Sequence, residues 1–332
     1  MKLLVTGALG FMGSAFVRHI LKKYKNYKIT NLDKVTYAAN FDNLKSVEKD
    51  KRYKFVRGDV SDPKVVNRIA KNADAIVNYA AETHVDRSIS KPDDFIQTDV
   101  YGTYVLLEAA KKYEMKRFVQ VSTDEVYGEV MNGRSKETDM LFPSSPYSAS
   151  KAGGDMLVLG YFRTYAVSAI LTRASNNYGP YQYPEKIIPL FITNILEGKK
   201  VPVYGKGGQV RDWLYVEDHA RAIDEVLHKG KSGEIYNIGS DSGKNITNMQ
   251  VTKKVLKFLG KDEKFIEHVK DRPGHDRRYA INCDKIKKLG WKPKMNFSEG
   301  IKKTVDWYKN NEEWWKKIKS GEFLEYYKRQ YG

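Results

Sequence analysis

Residues 2–6 (Lys-Leu-Leu-Val-Thr) are apolar at consecutive positions, the pattern of a strand buried on both faces rather than one. A glycine-rich turn follows. From Ser14 to Tyr24 the apolar residues Phe16, Val17, Ile20 and Leu21 then recur at helical spacing. The same alternation continues down the first half of the chain. Residues 28–32 read as a strand ending on Asp33, and residues 53–56 as one ending near Asp59. Asp62-Pro63 has the form of an N-cap followed by proline at the first helical position. Residues 74–79 predict a fourth strand, and 92–113 a long helix carrying Val100, Val105, Leu106 and Ala109. A strand at 117–122, a polar loop, a helix at 146–165 and a strand at 167–172 complete the series. Strands alternating with helices predict a parallel sheet with helices on both faces and right-handed crossovers.

Beyond about residue 175 the rhythm changes. Segments shorten and loops multiply, at 205–208, 239–243 and 272–275. The expectation is an α/β chain of two parts: a sheet domain over 1–175 and a smaller mixed α/β region over 176–332. The chain could cross between them. The tail, from Ser298 to Tyr331, has helical spacing and is rich in aromatics (Trp307, Tyr308, Trp314, Trp315, Phe323, Tyr326, Tyr327), which packing against the body explains. There is no internal repeat.

Composition narrows the partners. No apolar run approaches the roughly 20 residues that span a bilayer, and the apolar start is too short for a secretory leader. A cytoplasmic protein with no membrane partner is expected. The single cysteine, Cys283, excludes an intrachain disulfide and a multi-cysteine metal site. The net charge is +17. Its basic residues are scattered as pairs on helical faces (Lys22-Lys23, Lys111-Lys112, Lys253-Lys254, Lys287-Lys288, Lys316-Lys317), so a solvated surface explains them better than nucleic-acid binding. A basic molecule also suits an anionic nucleotide.

Gly7-x-x-Gly10-x-x-Gly13 joins the first strand to the first helix. Glycine there lets the backbone turn sharply and approach a diphosphate at a helix N-terminus. Asp33, at the end of the second strand, is placed to accept hydrogen bonds from an adenine ribose and to repel a 2′-phosphate. The cofactor expected is therefore NAD rather than NADP, in a Rossmann-type domain, although the basic neighbour Lys34 works against that preference. Tyr147-x-x-x-Lys151 opens a predicted helix, with both side chains on one face. A phenol ionises near pH 10, and a nearby ammonium favours the phenolate. Thr123 could share the same substrate hydroxyl. Asp124-Glu125, at a strand end beside this centre, could divide into acid and base if their environments differ.

The glycine spacing resembles the extended short-chain dehydrogenase/reductase superfamily, as do Asp59-Val60 and Ala80-Ala81. Across nearly the whole chain, the motifs Ser122-Thr123-Asp124-Glu125-Val126-Tyr127-Gly128, Leu32-Asp33-Lys34-Val35-Thr36-Tyr37-Ala38, Ala80-Ala81-Glu82-Thr83-His84-Val85-Asp86-Arg87-Ser88, Arg211-Asp212-Trp213-Leu214-Tyr215-Val216-Glu217-Asp218-His219 and Asp271-Arg272-Pro273-Gly274-His275-Asp276-Arg277-Arg278-Tyr279 resemble the dTDP-glucose 4,6-dehydratases. That resemblance implies oxidation at carbon 4 with Tyr147 taking the hydroxyl proton. Glu125 then removes the hydrogen on carbon 5 while Asp124 protonates the departing 6-hydroxyl, hydride returns to carbon 6, and a tightly held NAD is regenerated. It implies an NAD-binding role for the 1–175 domain, through Gly7, Gly10, Phe11, Met12, Gly13, Asp33, Lys34, Thr36, Asp59, Val60, Ala80, Ala81, Thr98, Tyr147, Lys151 and Asn177. It implies a sugar-nucleotide site bounded by Thr83, His84, Ser122, Thr123, Asp124, Asn176, Lys186, Ile187, Pro202, Tyr204, Arg211, Asn245, Arg272 and His275, with 176–332 as the sugar-nucleotide region. No metal is implied: His84 and His275 lack companion ligands at metal spacing. A homodimer formed through the helices near 92–113 and 146–165 is also implied. Two positions depart from the family pattern: Asp99 stands where Asn is usual, and Ala39 where Gly is usual.

Two other enzyme readings share the glycine loop and the Tyr-x-x-x-Lys pair, namely UDP-hexose 4-epimerase and UDP-glucuronate decarboxylase. Neither needs Asp124-Glu125. A dinucleotide-sensing binding protein that has lost its chemistry is the alternative of another class. The nucleobase is the least determined feature.

Overall fold

A computed structural model of the chain describes residues 1–240, 246–271 and 274–320, together with Phe323, Glu325, Tyr327 and Lys328. Asn245, Arg272 and Tyr326 therefore lie outside the described residues.

Strands β1 (Lys2–Thr6), β2 (Lys28–Asp33), β3 (Tyr53–Arg57), β4 (Ala75–Asn78), β5 (Arg117–Thr123) and β6 (Ala169–Ala174) alternate with helices α1 (Phe11–Lys23), α2 (Pro63–Ala70), α3 (Val85–Ser90), α4 (Pro92–Phe95), α5 (Gly102–Lys112) and α6 (Pro146–Tyr165). Past β6 come β7 (Asn176–Tyr178), α7 (Ile187–Leu196), β8 (Val201–Tyr204), β9 (Val210–Arg211), β10 (Trp213–Tyr215), α8 (Val216–Lys229) and β11 (Ile235–Ile238). After these come β12 (Ile246–Thr247), α9 (Asn248–Phe258), β13 (Ile266–Val269), α10 (Asp284–Lys287), α11 (Phe297–Asn310) and α12 (Glu312–Ile318). Seven strands form one parallel sheet in the order β11-β6-β5-β4-β1-β2-β3. It is the Rossmann-type α/β architecture, and its strand order reverses between β1 and β4, where a crevice opens at the carboxyl ends of the strands.

The late strand β11 pairs with β6 in parallel register, and α8 packs on α1. The chain thus returns to the sheet after leaving it. The small strand pairs β10–β7, β12–β9 and β13–β8 bound the region beyond the sheet's carboxyl edge. One apolar cluster, containing Phe16, Ile20, Ile223 and Val226, fills the α1/α8 face, and another, containing Leu106, Phe118 and Val158, fills the opposite face. A third joins α7 and α9 to the tail, where Tyr308, Trp314, Trp315 and Phe323 are buried.

The helix expected over 92–113 is present but irregular. Between α4 and α5 the residues Ile96–Tyr101 form a π-helical segment. The extra residue is accommodated by specific partners. The Asp99 carbonyl accepts Thr103 Oγ1 at 2.6 Å, and its carboxylate accepts Ser150 Oγ at 2.8 Å and Glu82 N at 3.2 Å. Hydrophobic spacing cannot show such a bulge. The sixth strand begins at Ala169 rather than 167, because α6 ends on Ala166 in the left-handed conformation and the chain spends the next residues reversing. Among the described residues no helix is long and apolar enough to cross a membrane.

Candidate active site

The crevice at the strand reversal is built from polar ends on apolar strands. Thr6 Oγ1 donates to Asn78 Oδ1 (2.5 Å) and Asn78 Nδ2 to Gln120 Oε1 (2.9 Å), so β1, β4 and β5 are tied together directly beneath it. Above this ladder the glycine turn needs its glycines for steric reasons. Gly7 has φ +65°, and a Cβ there would lie 2.7 Å from the Ala80 backbone. At Gly13 a Cβ would lie 2.8 Å from both Ala8 Cα and Gly7 O, against the start of α1. Asp33 is buried; its two carboxylate oxygens accept Leu9 N (3.0 Å) and Val35 N (2.9 Å). Burial raises its pKa, and those bonds and Lys34 oppose the rise. The Lys34 ammonium is directed to Glu82 (3.1 Å) and Thr98 Oγ1 (3.0 Å), not left open toward a 2′-phosphate. A bare cradle at a helix N-terminus, with a carboxylate at the second strand end, fits an NAD-type dinucleotide.

Gly7, Gly10, Phe11, Met12, Gly13, Asp33, Lys34, Thr36, Val60, Ala80, Ala81, Thr98, Tyr147, Lys151 and Asn177 all line this one cleft. Asp59 is not among its lining residues. Its carboxylate instead accepts the backbone and hydroxyl of Ser61, both at 2.8 Å, and closes the turn that presents Val60.

The side chains expected to react lie together at the end of β5. Thr123 caps the short 3-10 turn Asp124–Tyr127, its Oγ1 accepting Glu125 N at 3.2 Å. Tyr147 is the second residue of α6, whose start is held by the Ser145/Ser148 capping box. One turn on, buried Lys151 donates to the Val121 carbonyl at 3.0 Å, which draws α6 onto the strand end. Burial pushes the Tyr147 phenol well above its ordinary pKa; Glu125 and Asp99 add to this, and the neighbouring Thr123 hydroxyl pulls the other way. Asp124 is 3% exposed. Burial, reinforced by the charges of Glu125 and Asp212, raises its pKa well above the carboxylate range, against the pull of Arg211. It stands beside the less buried carboxyl of Glu125, so the two neighbouring carboxyls sit in different surroundings.

A second cavity adjoins the first, and Glu125, Asn176, Glu185 and Lys186 line both. His84, Ile187, Pro202, Tyr204, Arg211 and His275 line the second, while Thr83, Ser122, Thr123 and Asp124 line the first. Lys186 Nζ donates to the Thr83 carbonyl at 2.7 Å. The Arg211 guanidinium lies 4.2 Å from the Tyr279 ring centroid and donates to the carbonyls of Val210 (2.8 Å) and Asp276 (2.9 Å). Among the described residues no cluster of three or more His, Cys, Asp or Glu side chains could hold a metal ion.

Sequence reasoning passed over Tyr37, Glu82, Glu185 and Tyr279, each of which lines one or both cavities. Tyr37, Glu82 and Tyr279 sit in motifs already quoted, and Glu185 directly precedes Lys186. Nothing local marks them as facing a cavity; the fold does that.

A parallel sheet reversing at β1/β4, a glycine cradle and a Thr-Tyr-Lys group at the β5 end define a dinucleotide-dependent enzyme of the short-chain dehydrogenase/reductase class. More particularly, the chain belongs to the GDP-mannose 4,6 dehydratase family, whose family model matches residues 4–304. A curated dTDP-glucose 4,6-dehydratase of Streptomyces niveus is 47% identical over 325 residues, covering 96% of each chain. The solved structure of DesIV, a dTDP-glucose 4,6-dehydratase of Streptomyces venezuelae with NAD and dTDP bound, is 46% identical and superposes with a TM-score of 0.93, covering 96% of this chain and 100% of that one. A UDP-glucose 4-epimerase of Thermotoga maritima stands further off, at 30% identity and a TM-score of 0.86, covering 93% of this chain and 99% of that one.

Proposed function

We propose that the chain is an NAD-dependent sugar-nucleotide 4,6-dehydratase that converts dTDP-glucose to dTDP-4-keto-6-deoxyglucose. The single observation that carries the reading is Asp124, a buried carboxyl whose pKa burial raises, next to Glu125 at the end of β5. Epimerisation or decarboxylation needs no such pair, whereas elimination of water needs an acid and a base placed separately.

Bound NAD supplies the hydride acceptor for carbon 4 and the donor for carbon 6. Gly7, Gly10 and Gly13 would hold its diphosphate at the start of α1, and Asp33 its adenine ribose. The chain's own groups handle the protons. Tyr147 takes the proton of the 4-hydroxyl, with Thr123 sharing that oxygen and Lys151 holding α6 against β5. The ketone at carbon 4 acidifies the hydrogen on carbon 5. Glu125 removes it, Asp124 donates its proton to the departing 6-hydroxyl, and water leaves. Glu125 then returns a proton to carbon 5. Asn176, Lys186, Arg211 and His275 bound the sugar-nucleotide side; planar arginine suits a diphosphate or base edge. Residues 1–175 supply most of the cofactor site and 176–332 most of the substrate site, with β11 crossing back into the sheet.

The homologue named for thymidine nucleotides favours dTDP over UDP. Exposed Ile96 (54%), Tyr101 (41%), Tyr104 (39%) and Met156 (49%) lie on the α4–α5 stretch and α6, an apolar face suited to a second copy of the chain. The deciding assay incubates purified protein with a panel of nucleotide-glucoses. The expected result is an alkali-absorbing 4-keto-6-deoxy sugar from dTDP-glucose with no net NADH. A product epimerised at carbon 4 and lacking a ketone would overturn the reading. NAD binding with no turnover would favour a sensing protein.

A further inference from the structure

Three distant segments meet between the two cavities: the loop after β2, helix α3 after β4, and residues 181–186 before α7. They meet at Tyr37, Arg87 and Glu185. The Glu185 side chain is 1% exposed and accepts Arg87 Nε at 3.2 Å and the Tyr37 hydroxyl at 3.2 Å. The Arg87 guanidinium lies over the Tyr37 ring, 3.7 Å from its centroid, and Tyr183 meets that ring edge-on at 5.4 Å. Arginine joins both partners because its planar fork pairs with a carboxylate while its face stacks on an aromatic ring. The loop after β2 also carries Lys34 and Thr36, which line the cofactor cleft, and Glu185 lines both cavities.

We propose that Tyr37, Arg87 and Glu185 form a clamp that keeps the dinucleotide bound through each turnover, by tying its loop to the segment that walls the substrate cavity. These are positioning residues, and the inference rests on the dehydratase reading. In that reaction the hydride taken from carbon 4 is the one returned to carbon 6, so the reduced cofactor must stay until the cycle closes. Each loss would release one NADH and one sugar nucleotide oxidised by two electrons, with the hydroxyl proton passing through Tyr147 to solvent. A simple dehydrogenase, which releases its cofactor every cycle, has no use for such a tie. Breaking one hydrogen bond to a buried charge changes an equilibrium by about tenfold or more.

The test uses the full chain with Glu185→Gln and, separately, Tyr37→Phe, which leaves the ring under Arg87. NAD(H) retained after repeated gel filtration is measured without sugar nucleotide, and free NADH is followed by absorbance during turnover of dTDP-glucose. Glu185→Gln is expected to lose NAD(H) about tenfold faster, to leak NADH during turnover, and to recover turnover when NAD is added in excess. Tyr37→Phe should move the same readouts in the same direction by less, and it decides the matter alone if Glu185→Gln fails to fold. Retention and leakage equal to wild type in the folded variants would overturn the clamp, whatever happens to turnover. If wild type turns over no dTDP-glucose the dehydratase reading fails instead, and the retention measurement still judges the clamp.

Discussion

Replacing Asp99 with asparagine is expected to stabilise the protein at pH 7 and to leave it nearly unchanged near pH 4. Asp99 is 1% exposed, in the π-helical segment behind α6. Burial pushes its pKa from 3.8 up to about 6, against the pull of Lys151 and of the Ser150 and Glu82 hydrogen bonds. The folded protein therefore binds this proton more tightly than the unfolded chain does. Stability from this group is present below pH 4 and is lost as pH rises through about 6. A rise of roughly two pKa units costs about 3 kcal/mol once the group is ionised, with no solvent screening to discount at a buried site. An asparagine carbonyl can still accept Glu82 N. Its amide can donate to Ser150 Oγ, whose own proton is then free to turn to the Tyr147 carbonyl, 2.8 Å away. Urea unfolding of both proteins from pH 4.5 to 7.5 should show a gap that opens with pH toward about 3 kcal/mol, at unchanged slope. Because the Asp99 charge also raises Tyr147, the rate limb set by Tyr147 ionisation should move to lower pH in the variant. A stability gap constant across pH, or a variant less stable at pH 7, would refute the reasoning.

Tyr147→Phe should abolish the first oxidation, with turnover down by about 10²–10⁴-fold or more, and single-turnover absorbance should show no enzyme-bound NADH. Glu125→Gln should still permit hydride transfer but block exchange of the carbon 5 hydrogen with deuterated solvent; full exchange would place the base elsewhere. Gly13→Ala forces a Cβ to within 2.8 Å of backbone on two sides, so the turn must open and NAD affinity should fall at least about tenfold by calorimetry. Asp155→Ala would strand Arg173, 1% exposed and now paired with Asp155 at 2.9 Å, and should cost about 3–5 kcal/mol in denaturant unfolding.

Most of the sheet could be read from the chain because its strands are apolar at consecutive positions and its helices keep a 3.6-residue period. The helix at 146–165 matches α6 end to end, since Ser145-Pro146 announces its start. The glycine turn, Asp33, and the grouping of Thr123, Tyr147 and Lys151 were legible for the same reason: local backbone demands and local chemistry leave a local signature. Helix α3 was not legible, because its six residues are mostly polar and too few to establish a period. The π segment was hidden because what sustains it, Ser150 and the Glu82 amide, is distant in sequence.

The sequence by itself determined which chemical groups are present and which strand ends carry them. Tertiary structure alone decided their burial and their neighbours. Asp124 and Glu125 are adjacent carboxylates in the chain, and nothing local separates an acid from a base. Folding gives them different surroundings, burying Asp124 beside Glu125 and Asp212 while leaving Glu125 at the junction of two cavities. Likewise Tyr37, Arg87 and Glu185 are three ordinary polar residues until the fold brings them within hydrogen-bonding distance. Desolvation and the field of distant charges depend on what the chain packs against, and that is written only in three dimensions.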